Sequence, residues 1–324
     1  MDDSSHVNLA DERLGARVLY ATDEFFGAKE RLLNPAEPEW RAGVYDDHGK
    51  WMDGWETRRR REQGFDHCIV QLAAPGTLAA LDIDTRYFTG NYPPHVSVEA
   101  CHAQGTPDVS TRWHTLVPHT PLQGNQHNTL ALHSGDVHTH LKLNIHPDGG
   151  VARLRAYGSV HRDWSHTPSS ERVDLVAALN GGRALICSDE HYGAMGNLLL
   201  PGRGATMADG WETRRRREPG FDWVVLRLGH PGRIEQIEID TAHFKGNFPH
   251  QVSVHGALLA ARQTRDLASE CLYWPALLEA QLMQADHIHL FRAQLRDIGA
   301  VSHVRVSMHP DGGMSRVRLF GHIS

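Results

Sequence analysis

The chain has 324 residues, with 33 Lys and Arg against 39 Asp and Glu, a formal charge of −6. That balance excludes general nucleic-acid binding, which calls for a strongly basic surface. Forty percent hydrophobic and 22% charged residues exclude wholesale disorder, and no apolar run approaches the roughly 18 residues of a membrane span. Neither nucleic acid nor membrane is therefore expected as a partner. The 24 histidines are the one unusual count.

In chain order, Met1–Leu9 is acidic and polar, with no apolar core of a secretory signal. Cys68, Cys101, Cys187 and Cys271 are scattered and make no CxxC pair, so reduced thiols in the cytoplasm are expected. Thr22–Phe26 (TDEFF) has a counterpart in Ser188–Tyr192 (SDEHY). Asp53–Asp66 (DGWETRRRREQGFD) and Asp209–Asp222 (DGWETRRRREPGFD) agree at 13 of 14 positions. Leu81–Val98 and Ile237–Val254 agree at ten of eighteen, and Thr139–Gly158 matches Ser302–Gly321. The chain is two copies of one unit, a period too long for a solenoid and suited to two complete domains. The polar Ser159–Glu171 stretch reads as a linker, giving domains over 1–165 and 166–324.

Period-two patterning dominates each copy. Leu141, Leu143 and Ile145 share one face, as do Val304, Val306 and Met308, which indicates half-buried strands. Val224–Leu228 and Ile234–Ile239 read as a strand pair split by the turn Gly229-His230-Pro231-Gly232. Pro-Asp-Gly-Gly reads in both copies as a hairpin turn between the last two strands. Helical periodicity is limited to short segments such as Leu175–Leu179 and Ala276–Gln284. The fold class is all-β, two tandem antiparallel sandwiches. The succession of signals resembles the galactose-binding-like (discoidin-type) jelly roll, whose ligand sites sit on loops at one end.

At the level of motifs the resemblance sharpens. Gly49–Arg59 (GKWMDGWETRR), the Asp-Thr-X-X-Phe-X-Gly-Asn blocks and the paired His-Pro-Asp-Gly-Gly turns resemble the allantoicase family, from about Leu19 to Gly321. The resemblance implies an amidinohydrolase of purine catabolism that converts allantoate and water to ureidoglycolate and urea. A tandem jelly roll is the fold it implies.

The chemistry sets the requirements. Allantoate carries a carboxylate and two ureido groups on one carbon. Releasing urea needs a cationic clamp for the carboxylate, a general acid for the leaving nitrogen and a base for water. Arg58, Arg60, Arg214 and Arg216 are candidates for the clamp, because guanidinium can hold a carboxylate through two parallel hydrogen bonds. In an extended run, Arg58 and Arg60 point one way and Arg59 and Arg61 the other. Asp53, Glu56, Asp209 and Glu212 precede those runs and are candidates for proton transfer. Asp84, Asn91, Asp240 and Asn247 are candidates for ureido recognition, with the nearby glycine permitting positive φ. His140, His146, His303 and His309 occupy equivalent positions in the two copies and complete the acid–base candidates.

His138-Thr-His140 and His287-Ile-His289 have a spacing that can hold a metal, but the two pairs do not align between copies. No cofactor is evident, and a divalent metal stays open. Tyr87 is replaced by His243 and His95 by Gln251. Either each copy holds a site or the two blocks meet at one. A homo-oligomer is expected. The rival reading is a non-catalytic tandem galactose-binding-like protein that holds a small ligand.

Overall fold

The computed structural model describes residues 6–259 and 266–324, so the first five residues of the acidic opening lie outside the described part. The chain divides into two compact units, one of His6–His161 and the other containing Arg162–Ser324. Both are almost entirely β.

One long strand organises each unit. In the first, Asp66–Asp84 alternates buried and accessible residues through its first half. That half pairs with Arg17–Ala21 on one side and His138–His146 on the other. The second half pairs with Arg153–Val160 and His127–Ala131 instead. His95–Cys101 extends the first layer beyond His138–His146 and is followed by His114–Pro121, while Val7–Asn8 borders Arg153–Val160. The strand thus belongs to both layers of a jelly-roll sandwich. Val70, Leu81, Ile83, Val98, Leu141, Leu143, Ile145 and Leu154 fill the core, each worth about 1.5–3 kcal/mol when fully buried.

The second unit repeats this plan around Asp222–Asp240. Its first half pairs with Arg183–Cys187 and Val301–His309, its second with Arg316–Ile323 and Ile288–Phe291. Three expectations are corrected here. Val224–Leu228 and Ile234–Ile239 are two stretches of one continuous strand, not a hairpin, because each half has its own sheet partners. At this corner a Cβ on Gly229 would meet the Asn180 carbonyl oxygen at 1.8 Å, so glycine allows the backbones to pass closely.

The Pro-Asp-Gly-Gly segments do not join paired strands either. Val301–His309 and Arg316–Ile323 lie on different halves of the long strand, so the segment carries the chain between layers. Gly149 (φ 137°) and Gly312 (φ 139°) supply left-handed backbone there. Finally, Ala276–Leu282 is a strand on Gln251–Ala257, with two register shifts. Such shifts break strict alternation and leave a spacing that imitates a helix. At Leu175–Leu179 the helical signal amounts to a single 3-10 turn, Ala178–Asn180.

Candidate active site

The three sequence blocks meet in space. Trp55–Glu56 pairs with Gly150–Val151, bringing the Asp-Gly-Trp-Glu-Thr block against the His-Pro-Asp-Gly-Gly turn. Beneath them lies the buried Phe88 of the third block. A Cβ on Gly150 would meet its ring at 2.0 Å, and one on Gly54 at 2.9 Å. The blocks therefore require glycine where they cross this ring. The Trp55 indole donates to the Asp23 carbonyl at 2.8 Å, fixing the other side of the short strand. Phe244, Gly210, Gly313 and Trp211 build the same junction in the second unit.

This junction places Glu56 beside Asn91. Asn91 Nδ2 donates to Glu56 Oε1 at 2.6 Å, and its carbonyl accepts from the Gly150 amide at 2.7 Å. Glu56 is buried, and burial pushes its carboxyl above the ordinary value, with the Asn91 hydrogen bond opposing. Its Oε2 makes no hydrogen bond among the described residues. Both side chains line two adjoining hollows. One, of about 630 Å³, is walled by Phe26, Trp40, Lys50, Met52, Tyr87, Thr89 and Asn125. The other, of about 550 Å³, is bordered by Arg59, Arg60, Tyr92 and Asp148 among others.

The larger hollow carries a built cation. Lys50 Nζ sits 3.8 Å from the centroid of the Trp40 ring, which in turn stacks on Tyr87 at 6.2 Å. Tyr87 itself adopts φ 69°, a conformation uncommon for a bulky residue and typical of functional loops. The glycine expected to supply this positive φ, Gly90, does not have it; Tyr87 does.

The remaining candidates are distributed as follows. Arg58 pairs with Asp23 at 2.6 Å and Arg60 with Asp66 at 2.7 Å, so both guanidinium groups already hold acids of their own unit. Arg60 also borders the smaller hollow. Arg59 is exposed and borders the same hollow, without a partner among the described residues. Arg214 and Arg216 pair with Asp189 and Asp222, both at 2.8 Å. Asp53 is held by the buried Arg153 at 2.7 Å. Asp209 accepts from the Ala205 and Thr206 amides and caps a 3-10 turn.

Asp84 is held by Arg86, and Asp240 by Arg203 at 3.1 Å. His140 and His303 are buried on their strands, each beside a hydroxyl at 2.9 Å from Nδ1. Burial lowers both from the ordinary histidine value, His303 to about 4. His146 and His309 bond Ser97 and Ser253 through Nε2, at 3.0 and 2.9 Å, and burial lowers them too. None of these four histidines lines either hollow. Glu212 and Asn247 reproduce the hydrogen-bonded pair in the second unit.

Among the described residues, one group has metal-ligand spacing, Glu37, Asp84 and His127. The Arg86 guanidinium already bridges Asp84 and Glu37, so a cation occupies that cluster. Neither His-X-His pair enters it.

A family model described as the allantoicase repeat matches residues 7–161 and again 173–324. The chain belongs to the allantoicase family. It is 50% identical to a probable allantoicase of Pseudomonas syringae over 319 residues, 98% of this chain and 96% of that one. It is 51% identical to probable allantoicase 2 of Burkholderia pseudomallei, over 98% and 95% of the two chains. A crystal structure of Saccharomyces cerevisiae allantoicase is 35% identical, with a TM-score of 0.84 over 98% of this chain and 93% of that one. The two family repeats correspond to the two jelly-roll units. No helix among the described residues is long and apolar enough to cross a membrane.

Against the allantoicase-family blocks, sequence reasoning missed Trp40, Lys50, Phe26, Thr89 and Asn125 as cavity residues. One signal for the first two was available. Twenty-one residues separate Leu33 from Trp55, where eleven separate Leu199 from Trp211, and the additional length carries Trp40 and Lys50.

Proposed function

We propose that the chain is an allantoicase that converts allantoate and water to ureidoglycolate and urea at the Glu56–Asn91 pair. The observation that carries this reading is a buried carboxyl, held by one amide, opening onto a hollow that also presents an ammonium group. Lys50 is the cation for the substrate carboxylate, backed by the Trp40 face that keeps it in place. Asn91, Thr89 and Asn125 offer donors and acceptors of the kind that ureido groups require. Arg59 adds positive charge at the neighbouring hollow.

Burial favours the neutral form of Glu56, which suits it to act as general acid. Its proton passes to the leaving ureido nitrogen while the lone pair of the other ureido nitrogen forms a C=N bond. The C–N bond breaks and urea departs. Water then adds to the carbon of the resulting acyl-iminium ion and gives its proton to the Glu56 carboxylate, which restores the acid. One group serves both halves of the reaction. Four unbridged cysteines support action in the reducing cytoplasm.

Incubating the purified protein with allantoate and assaying urea tests the reading. Steady urea release is expected. Saturable binding of allantoate without urea release would overturn it in favour of a binding protein.

A further inference from the structure

Both units contain the Glu–Asn pair, but their surroundings differ. In the first, the chain between Leu33 and Trp55 forms a lobe. Its ends are fixed by Arg155, which donates to the Pro35 carbonyl at 3.2 Å, and by Arg153, which donates to Ala36 at 2.9 Å and grips Asp53. Within the lobe, Tyr45–Asp46 pairs with Gly49–Lys50, which delivers Lys50 to Trp40, and Trp40 to Tyr87. The cavity wall is therefore made by the lobe.

The corresponding arginines of the second unit fasten a much shorter segment. Arg318 donates to the Leu200 carbonyl at 2.5 Å and the Gly202 carbonyl at 3.0 Å, and Arg316 to Asp209 at 2.6 Å. At the offset that aligns the Trp-Glu-Thr blocks, Lys50 falls on Thr206, an uncharged residue that caps the 3-10 turn Met207–Asp209. His243 takes the place of Tyr87 with the same backbone, φ 70° against 69°. Its Nε2 donates to the Gly204 carbonyl of the short segment at 2.7 Å. The side chain that helps to wall the cavity in one unit is tied down by the shortened loop in the other.

We infer that turnover is confined to the first unit, with Lys50 its specificity-determining cation, and that the Glu212–Asn247 pair is a brace between loops. The inference rests on the proposed allantoicase reaction at Glu56. The junction of blocks is common to both copies, and the catalytic cavity belongs to the copy with the lobe. A ligand of the first site is an organic carboxylate with planar ureido arms, matched by the ammonium, the aromatic wall and the amides.

Glu56→Gln, which keeps the size and the Asn91 contact, tests this in the full-length protein with allantoate. Loss of one general acid–base group lowers turnover by roughly 10²–10⁴-fold if the first unit works alone. Retention of about half the wild-type rate would show an active second unit and overturn the inference. Full retention would overturn the role of Glu56 as well, and a wild-type protein that releases no urea would instead overturn the reaction assigned. Because Lys50 is exposed, Lys50→Ala spares the fold and gives an independent arm. A single saturation curve with KM raised by about tenfold, the worth of one charged contact near 1.4 kcal/mol, is expected. A biphasic curve with half the rate at the original KM would contradict it.

Discussion

Replacing Arg153 by Met tests how the lobe between Leu33 and Trp55 is held. The Arg153 side chain is 1% exposed and that of Asp53 11% exposed, with Nη2 and Oδ2 2.7 Å apart. Arg153 also donates to the Asp53 carbonyl at 3.0 Å, the Ala152 carbonyl at 2.7 Å and the Ala36 carbonyl at 2.9 Å. Met fills most of the volume but supplies none of these donors. It leaves the Asp53 carboxylate with the Glu39 amide as its remaining hydrogen bond of those described. Breaking a buried ion pair from one side costs about 3–5 kcal/mol. At roughly 2–4 °C per kcal/mol for a unit of this size, calorimetry should show the first unit melting roughly 6–20 °C lower.

Because the arginine ties Ala36 to Asp53, the variant should also raise KM for allantoate more than it lowers kcat. Adding Asp53→Asn removes the orphaned charge and should recover part of the loss, giving a measurable interaction energy in the double-mutant cycle. A loss below about 1 kcal/mol, the range of an exposed ion pair, or an unchanged KM would refute the anchoring role.

Three other outcomes are expected. His303 is neutral in the folded protein because its pKa falls to about 4, so the unfolded chain binds the extra proton first as pH drops. Its contribution is therefore present above about pH 6.5 and lost toward pH 4, up to about 3 kcal/mol, and His303→Gln should flatten the fall in melting temperature between pH 7 and 4.5. Gly150→Ala drives a methyl into the Phe88 ring and should cost about 1–3 kcal/mol, with Phe88→Leu in the same chain relieving part of it. Dialysis against EDTA should leave urea release unchanged, since the one described cluster with ligand spacing is already neutralised by Arg86; loss of activity restored by zinc or manganese would refute this.

The duplication and the alternation of Leu141, Leu143 and Ile145 were enough to read an all-β tandem fold. Pairing was less legible. A strand that changes sheets at Gly229–Gly232 carries the same local pattern as two strands and a turn, and the distinction lies in distant partners. Glu56 and Asn91 stood out because their blocks recur in both copies. The arginine run was also legible, but not which of its members are already paired: Asp23 and Asp66 capture Arg58 and Arg60. Repetition drew attention to His140 and His303, which are packed within their strands, and away from Trp40 and Lys50, which have no second copy.

The central claim is tested most directly by following allantoate, urea, ureidoglycolate and ammonia together in one reaction of the full-length protein. Attack at the carbon that bears the ureido groups predicts one urea and one ureidoglycolate for each allantoate consumed, with no ammonia in the initial phase. Ammonia released in place of urea would mean attack at a ureido carbonyl and would contradict the account, as would allantoate left intact.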